Sequence, residues 1–118
     1  VTYSSSYRSW QDIAVSSDFT KIVATVRSDY IYLSIDGGES WSALTGSGQK
    51  AWETITASSD LSKIAAATDG SGQLWLSTDG GVAWGFISGA GTRYYHGIAA
   101  TNDFTKMVAT VWQVGDIF

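Results

Sequence analysis

At 118 residues the chain has the length of one ordinary domain, and a hydrophobic content of 44% gives it enough apolar side chains for a core. Only 15% of residues are charged, while Gly, Ser, Thr and aromatics are plentiful, the profile of a turn-rich all-β protein rather than a disordered one. A net charge of −4 with seven scattered Lys and Arg argues against nucleic acid, no apolar run is long enough to span a bilayer, and no cysteine supplies disulfides or thiolate ligands.

In chain order, "WQDIAVS" from Trp10 alternates as a first strand, and "SDFTK" is a tight turn. "KIVATV" follows as a second strand, "RSD" as a turn and "YIYLS" as a third strand. "DGG" turns again into a fourth, "ESWSALT", and a Gly/Ser-rich link leads on. The series then restarts. "WETITASSDLSKIAAAT" from Trp52 and "YHGIAATNDFTKMVATV" from Tyr95 repeat the opening, with Asp18, Asp60 and Asp103 spaced 42 and 43 residues apart. The extra residue falls in the turn "DGSG". No window carries a capped helical period.

Four antiparallel strands per roughly 42 residues, repeated, predict β-propeller blades. Residues 1–9 are expected to end a preceding blade or link, 10–50 to form one blade, 51–93 a second and 94–118 a truncated third. In the third, "DIF" (Asp116 to Phe118) aligns with "QLW". The opening Val1 and the lack of a signal-peptide pattern suggest a processed product or an excerpt. Closed propellers have about 4–8 blades. Nearly three cannot close, so the expectation is an arc of a larger propeller or of one completed by further copies. The expected partners are other blades, from a continuing chain or a homo-oligomer.

"SIDGGESW" and "STDGGVAW" return in register, with Ser34, Asp36, Gly38 and Trp41 matched by Ser77, Asp79, Gly81 and Trp84. This Ser-x-Asp-x-Gly-x-x-Trp pattern resembles the Asp-box, or BNR, repeat of sialidase-like propellers. In such a turn the carboxylate can accept hydrogen bonds from its own backbone, glycine takes a positive φ, and tryptophan folds back as an apolar plug. The resemblance implies a structural role for both boxes, with ligands on the opposite face. One carboxylate per loop is too few for a calcium cage, and neither metal nor cofactor is expected.

Strand parity puts the boxes with the "DFTK" turns and leaves the links on the other face. That face is expected to carry Arg8, Lys50 and Arg93, each two residues before Trp10, Trp52 or Tyr95, together with Arg27, Asp29, Tyr30, Asp69, Tyr94, Trp112 and Gln113. Cations and aromatics together can hold a glycan by stacking and hydrogen bonding. Alternatively, Trp10, Trp52 and Tyr95 pack between blades and the basic residues form a solvated ring.

The residues of sialidase catalysis are not recognisable. Arg8 and Arg93 are repeat equivalents, no Arg-Ile-Pro motif exists, nothing marks Glu39 or Glu53 as a tyrosine's partner, and His96 is the single histidine. Finally, Phe19, Leu61 and Phe104 stand where many such repeats have glycine. They predict a row of apolar turn tips that either contacts another protein or folds back over its own blade. The expected function is a non-catalytic structural or protein-interaction module, extracellular or at the cell surface. The alternatives are a glycan-binding propeller, or a fragment of a sialidase-like or other glycoside hydrolase with its catalytic residues in other blades.

Overall fold

A computed structural model describes residues 8–70 and 72–112. The leading segment up to Tyr7 and the third strand expected over Asp116 to Phe118 lie outside the described residues, as does Gln113. The first unit is a four-stranded antiparallel sheet of β1 (Trp10–Val15), β2 (Ile22–Asp29), β3 (Ile31–Ser34) and β4 (Ser42–Leu44). The second repeats it with β5 (Lys50–Ala57), β6 (Ile64–Thr68), β7 (Leu74–Ser77) and the two-residue β8 (Gly85–Phe86). The third begins with the hairpin β9 (Tyr95–Ala100) and β10 (Met107–Val111). Single turns of 3-10 helix, Thr45–Ser47 and Ser88–Ala90, carry the links.

Burial along the strands shows how the units stack. In a sheet with one wet face, burial alternates along a strand; in a blade held between two neighbours it does not. Ile64 to Thr68 are buried without interruption, and so are Val23 to Val26. In β10, only Ala109 is buried. Each blade therefore has a leading face, turned to the unit before it, and a trailing face, turned to the unit after. The trailing face of blade 1 brings Val23 and Ile31 against the leading face of blade 2, where Trp52, Ile55, Leu61, Ile64 and Ala66 complete the cluster. The same relation brings Ala67 and Leu74 of blade 2 against Tyr95 and Ala109 of blade 3.

Polar contacts stitch the stack. The Asp12 carboxylate on β1 accepts hydrogen bonds from Thr54 Oγ1 and the Ile55 amide on β5, both at 2.9 Å. The end of β2 pairs with the start of β5, Arg27 opposite Ala51 and Asp29 opposite Lys50. This join makes one continuous sheet of the first two units, which a reading as discrete blades did not foresee. Gly72 and Arg93 form the corresponding bridge toward blade 3.

The turns between the first two strands of each unit form a second seam. The Ser17 amide donates to the Ser59 carbonyl at 2.9 Å, the Ser59 amide to Asn102 Oδ1 at 2.6 Å, and Lys63 Nζ to the Asp103 carbonyl at 2.9 Å. Inside each turn the aspartate gathers the local donors: Asp18 Oδ1 accepts from the Ser16 hydroxyl at 2.8 Å and from the Thr20 amide at 3.1 Å. That clamp holds Phe19, Leu61 and Phe104 at φ of 61°, 60° and 57°. An L-residue in this left-handed region is strained by roughly 1–2 kcal/mol. Glycine would adopt it freely.

Candidate functional site

The two Ser-x-Asp-x-Gly-x-x-Trp turns share one bonding scheme. Ser34 Oγ donates to Asp36 Oδ1 at 2.8 Å and accepts the Gly38 amide at 2.8 Å. Asp36 Oδ1 takes the Ser40 amide at 2.9 Å, and Trp41 Nε1 closes the turn on the Gly38 carbonyl at 3.1 Å. In the second turn Ser77 donates to Asp79 at 2.8 Å, Asp79 takes the Ala83 amide at 3.0 Å, and Trp84 Nε1 reaches the Gly81 carbonyl at 2.8 Å. The Ser40 hydroxyl and amide hold the Asp36 carboxyl down at about 2. Chiefly the Ala83 amide lowers Asp79. Gly38 and Gly81 have φ of 98° and 93°, and a Cβ on Gly81 would come within 2.6 Å of Leu44 Cδ1, so the second turn rests on β4 of blade 1. Hydrogen bonds from Gly37 to Thr20 and from Gly80 to Ser62 tie each such turn to the first turn of its own unit. The hydrogen bonds that these two carboxylates accept come from their own turns, from Ser34 and Ser40 for Asp36 and from Ser77, Val82 and Ala83 for Asp79.

The apolar turn tips do not form the exposed row expected from sequence. Leu61 is buried, 3% exposed, inside the cluster between blades 1 and 2; Phe104 is half-buried; Phe19 is 66% exposed. The reason is position. Leu61 belongs to a leading face that has a neighbour, and Phe19 to one that has none among the described residues. The same holds for Ile13 at 56% against Ile55 at 4%, and for Trp10 at 46% against Trp52 at 0%. Trp10, Gln11, Asp12, Ile13, Ala24 and Trp41 line an open groove of about 340 Å³ on this flank.

On the link side the nominated residues divide. Lys50 Nζ donates to the Ser47 carbonyl at 2.7 Å and lies 4.5 Å over the Trp75 ring, and Arg8 pairs with Asp29 at 3.1 Å and covers Tyr32 at 4.5 Å. Both cations are engaged in packing the links. The Tyr30 amide donates to Asp29 Oδ1 at 2.7 Å, capping the turn before β3. Arg93 reaches the Ala90 carbonyl at 3.3 Å, and exposed Tyr94 accepts the Trp112 amide at 2.6 Å.

Arg27 and Trp112 instead belong to a cluster across all three units. Arg27 pairs with Asp69 and stands 3.9 Å from Glu53; His96 Nδ1 is 3.9 Å from Glu53 on its other side; and the His96 ring lies 5.7 Å from that of Trp112, which is 63% exposed. Gln11, Glu53 and His96 are repeat equivalents, and each sits where the register slips by one residue: between Trp10 and Asp12, between Trp52 and Thr54, and opposite the Thr110/Val111 shift. A bulge re-aims the side chain it carries. Glu53 and His96 gave no signal of their own in sequence; their alignment with Gln11 was the one available hint. Among the described residues, no group of three or more His, Cys, Asp or Glu is placed to hold a metal ion.

Neither a protein-family model nor a curated protein matches the chain. A solved structure does: a GH74 enzyme of Niastella koreensis superposes with a TM-score of 0.65 and 21% identity. The match covers 90% of this chain and 15% of the enzyme, so the chain spans a small fraction of that protein's length. At this identity the likeness speaks to fold alone. The chain is a partial β-propeller. Its curled antiparallel sheet supplies an arc of blades, with the groove on one flank and the bulge cluster across the blades.

Proposed function

We propose that the chain is a non-catalytic structural and protein-interaction module, built from Asp-box blades of the BNR type, whose open flanks take further blades. One observation carries this reading: residues that are buried in blade 2 by its neighbour, Trp52, Ile55 and Leu61, have counterparts in blade 1 that lie open as Trp10, Ile13 and Phe19. Burial of such side chains stabilises by about 1.5–3 kcal/mol each, so the flank gains most from a surface of the kind blade 1 offers blade 2. The Asp-box aspartates support it too, since they serve the turns. Two copies joined in tandem by a short Gly/Ser linker test it. The tandem should melt higher than the single chain, and β1 of its second copy should gain hydrogen-exchange protection approaching that of β5. Unchanged exchange would count against the docking role, and release of product from a panel of aryl glycosides against the non-catalytic one.

A second reading is favoured by the bulge cluster. Trp112 offers an exposed ring for a sugar face next to His96, from which Glu53, Arg27 and Asp69 continue as a chain of hydrogen-bonding groups. A glycan array is the measurement: binding lost in Trp112→Ala and Glu53→Gln supports the reading, and no bound glycan removes it.

A further inference from the structure

We infer that the leading face of blade 1 receives the trailing face of blade 3 from a second copy of this chain, packed head to tail. The inference rests on the proposed docking role of the flanks and names their occupant. It draws on continuity with the interface already present between blades 1 and 2.

The apolar surfaces correspond. Val23, wholly buried on the trailing face of blade 1, packs into the cluster with Trp52 and Ile55. Its counterpart on blade 3 is Val108, 42% exposed beside Ala99, the counterpart of Ala14. Trp10, Ile13 and Ala24 are the counterparts of the surface Val23 meets. Each flank thus presents one half of an interface whose two halves already fit inside the chain.

The polar groups select the same pairing. Across the existing interface the Ile55 amide needs an acceptor from the other blade, and Asp12 provides it. In blade 1 the equivalent Ile13 amide is satisfied within its own blade, donating to Asp12 Oδ1 at 2.8 Å. The incoming face therefore needs no acceptor there. Blade 3 has Gly97 at that position, which brings none. A blade carrying aspartate at this point would instead bury a second carboxylate near Asp12, a costly arrangement without a donor.

The turn seam extends in the same direction, each unit donating to the next. Repeating the geometry of Ser17 to Ser59 and of Lys63 to Asp103 sets the Asn102 amide opposite the Ser17 carbonyl, and Lys106 Nζ opposite the Asp18 carbonyl, of the second copy. A contact between two different faces can close into a ring. Among the described residues two copies hold four whole blades and two hairpins, six units in all, inside the usual range for closed propellers.

Sedimentation equilibrium up to about 100 μM tests the pairing. The expected mass is twice the chain's 12.6 kDa. Ile13→Glu and Val108→Glu, both at exposed positions, should each give monomers with unchanged circular dichroism. Mixing the two variants should restore a dimer, since one of its two contacts is then unaltered on both sides. The mixture's dissociation constant is expected to be at least ~10-fold tighter than that of either variant alone. A wild-type monomer overturns the inference, as does dissociation by only one variant or a mixture that fails to pair. A monomeric chain whose tandem form still protects β1 defeats the second copy and leaves the docking role standing; an unprotected tandem defeats both.

Discussion

The leading faces of blades 1 and 2 are nearly the same text in two environments. Trp10, Ile13, Phe19 and Ala24 correspond to Trp52, Ile55, Leu61 and Ala66, strand for strand and turn for turn. In blade 2 these side chains are shielded by Val23, Ile31 and Leu33 of the unit before; in blade 1 three of the four are open. Local structure is indifferent to the change: the turn tips keep φ of 61° and 60°, and the strands keep their pairing. In a stack of repeats, conformation belongs to the unit, while burial and its energy belong to the pair of units.

The largest effect that separates the two faces is removal of the tryptophans. Trp52 is fully buried, donates Nε1 to the Gly48 carbonyl at 3.1 Å, and meets the rings of Trp75 and Trp84 at 6.3 and 6.0 Å. Trp52→Ala should lower unfolding free energy by about 3–5 kcal/mol, a large share of what a domain of this size possesses. Trp10, 46% exposed, meets the rings of Tyr32 and Trp41 at 5.8 and 5.6 Å. Trp10→Ala should cost about 1 kcal/mol in dilute solution. Urea denaturation of both variants gives the comparison, and equal losses would mean that the flank is already covered.

A subtler contrast lies at the turn tips, where the same substitution should act with opposite sign. Leu61→Gly relieves a strained φ but removes a buried side chain, for a net loss of about 2 kcal/mol. Phe19→Gly relieves the same strain at little packing cost and should stabilise the free chain by about 1 kcal/mol. Thermal melts of the two variants decide it; destabilisation by both would show that Phe19 packs on something in solution.

This pair also marks how far the sequence could be read. The 42- and 43-residue spacing, the period-two strands and the "DGG" turns are written locally, and the described strands fall on the segments whose alternation marked them, although β2 runs on to Asp29 and β4 and β8 are shorter than expected. Phe19 and Leu61 were visible as residues standing in for glycine. That one is buried and the other open depends on which blade precedes it, information no local pattern contains. The bulges at Gln11, Glu53 and His96 were equally hidden, because a one-residue slip within an alternating strand leaves composition unchanged. The bulge cluster was therefore seen only in part, through Arg27, Asp69 and Trp112. The stitch from β2 to β5 was missed for the opposite reason: Arg27, Ser28 and Asp29 look like a turn, and their pairing partner is another unit.

The smallest effects should be those that the two flanks share. Asp18, Asp60 and Asp103 occupy the same turn in an open, an enclosed and a half-open unit, yet each carboxyl lies at about 2 instead of 3.8. The cause is local in every case: the Thr20 amide leads for Asp18, the Ser62 hydroxyl for Asp60 and the Thr105 amide for Asp103. A carboxyl that holds its proton less tightly when folded stabilises the fold above the unfolded pKa and ceases to do so as pH falls through the folded one. Melting temperature should therefore be flat above about pH 5 and decline between about 4 and 2. Asp18→Asn and Asp103→Asn should each shallow that decline by the same small amount, despite their different flanks. A decline that responds to Asp18→Asn but not to Asp103→Asn would tie these turns to their neighbours and erase the division between what a unit fixes and what a pair of units fixes.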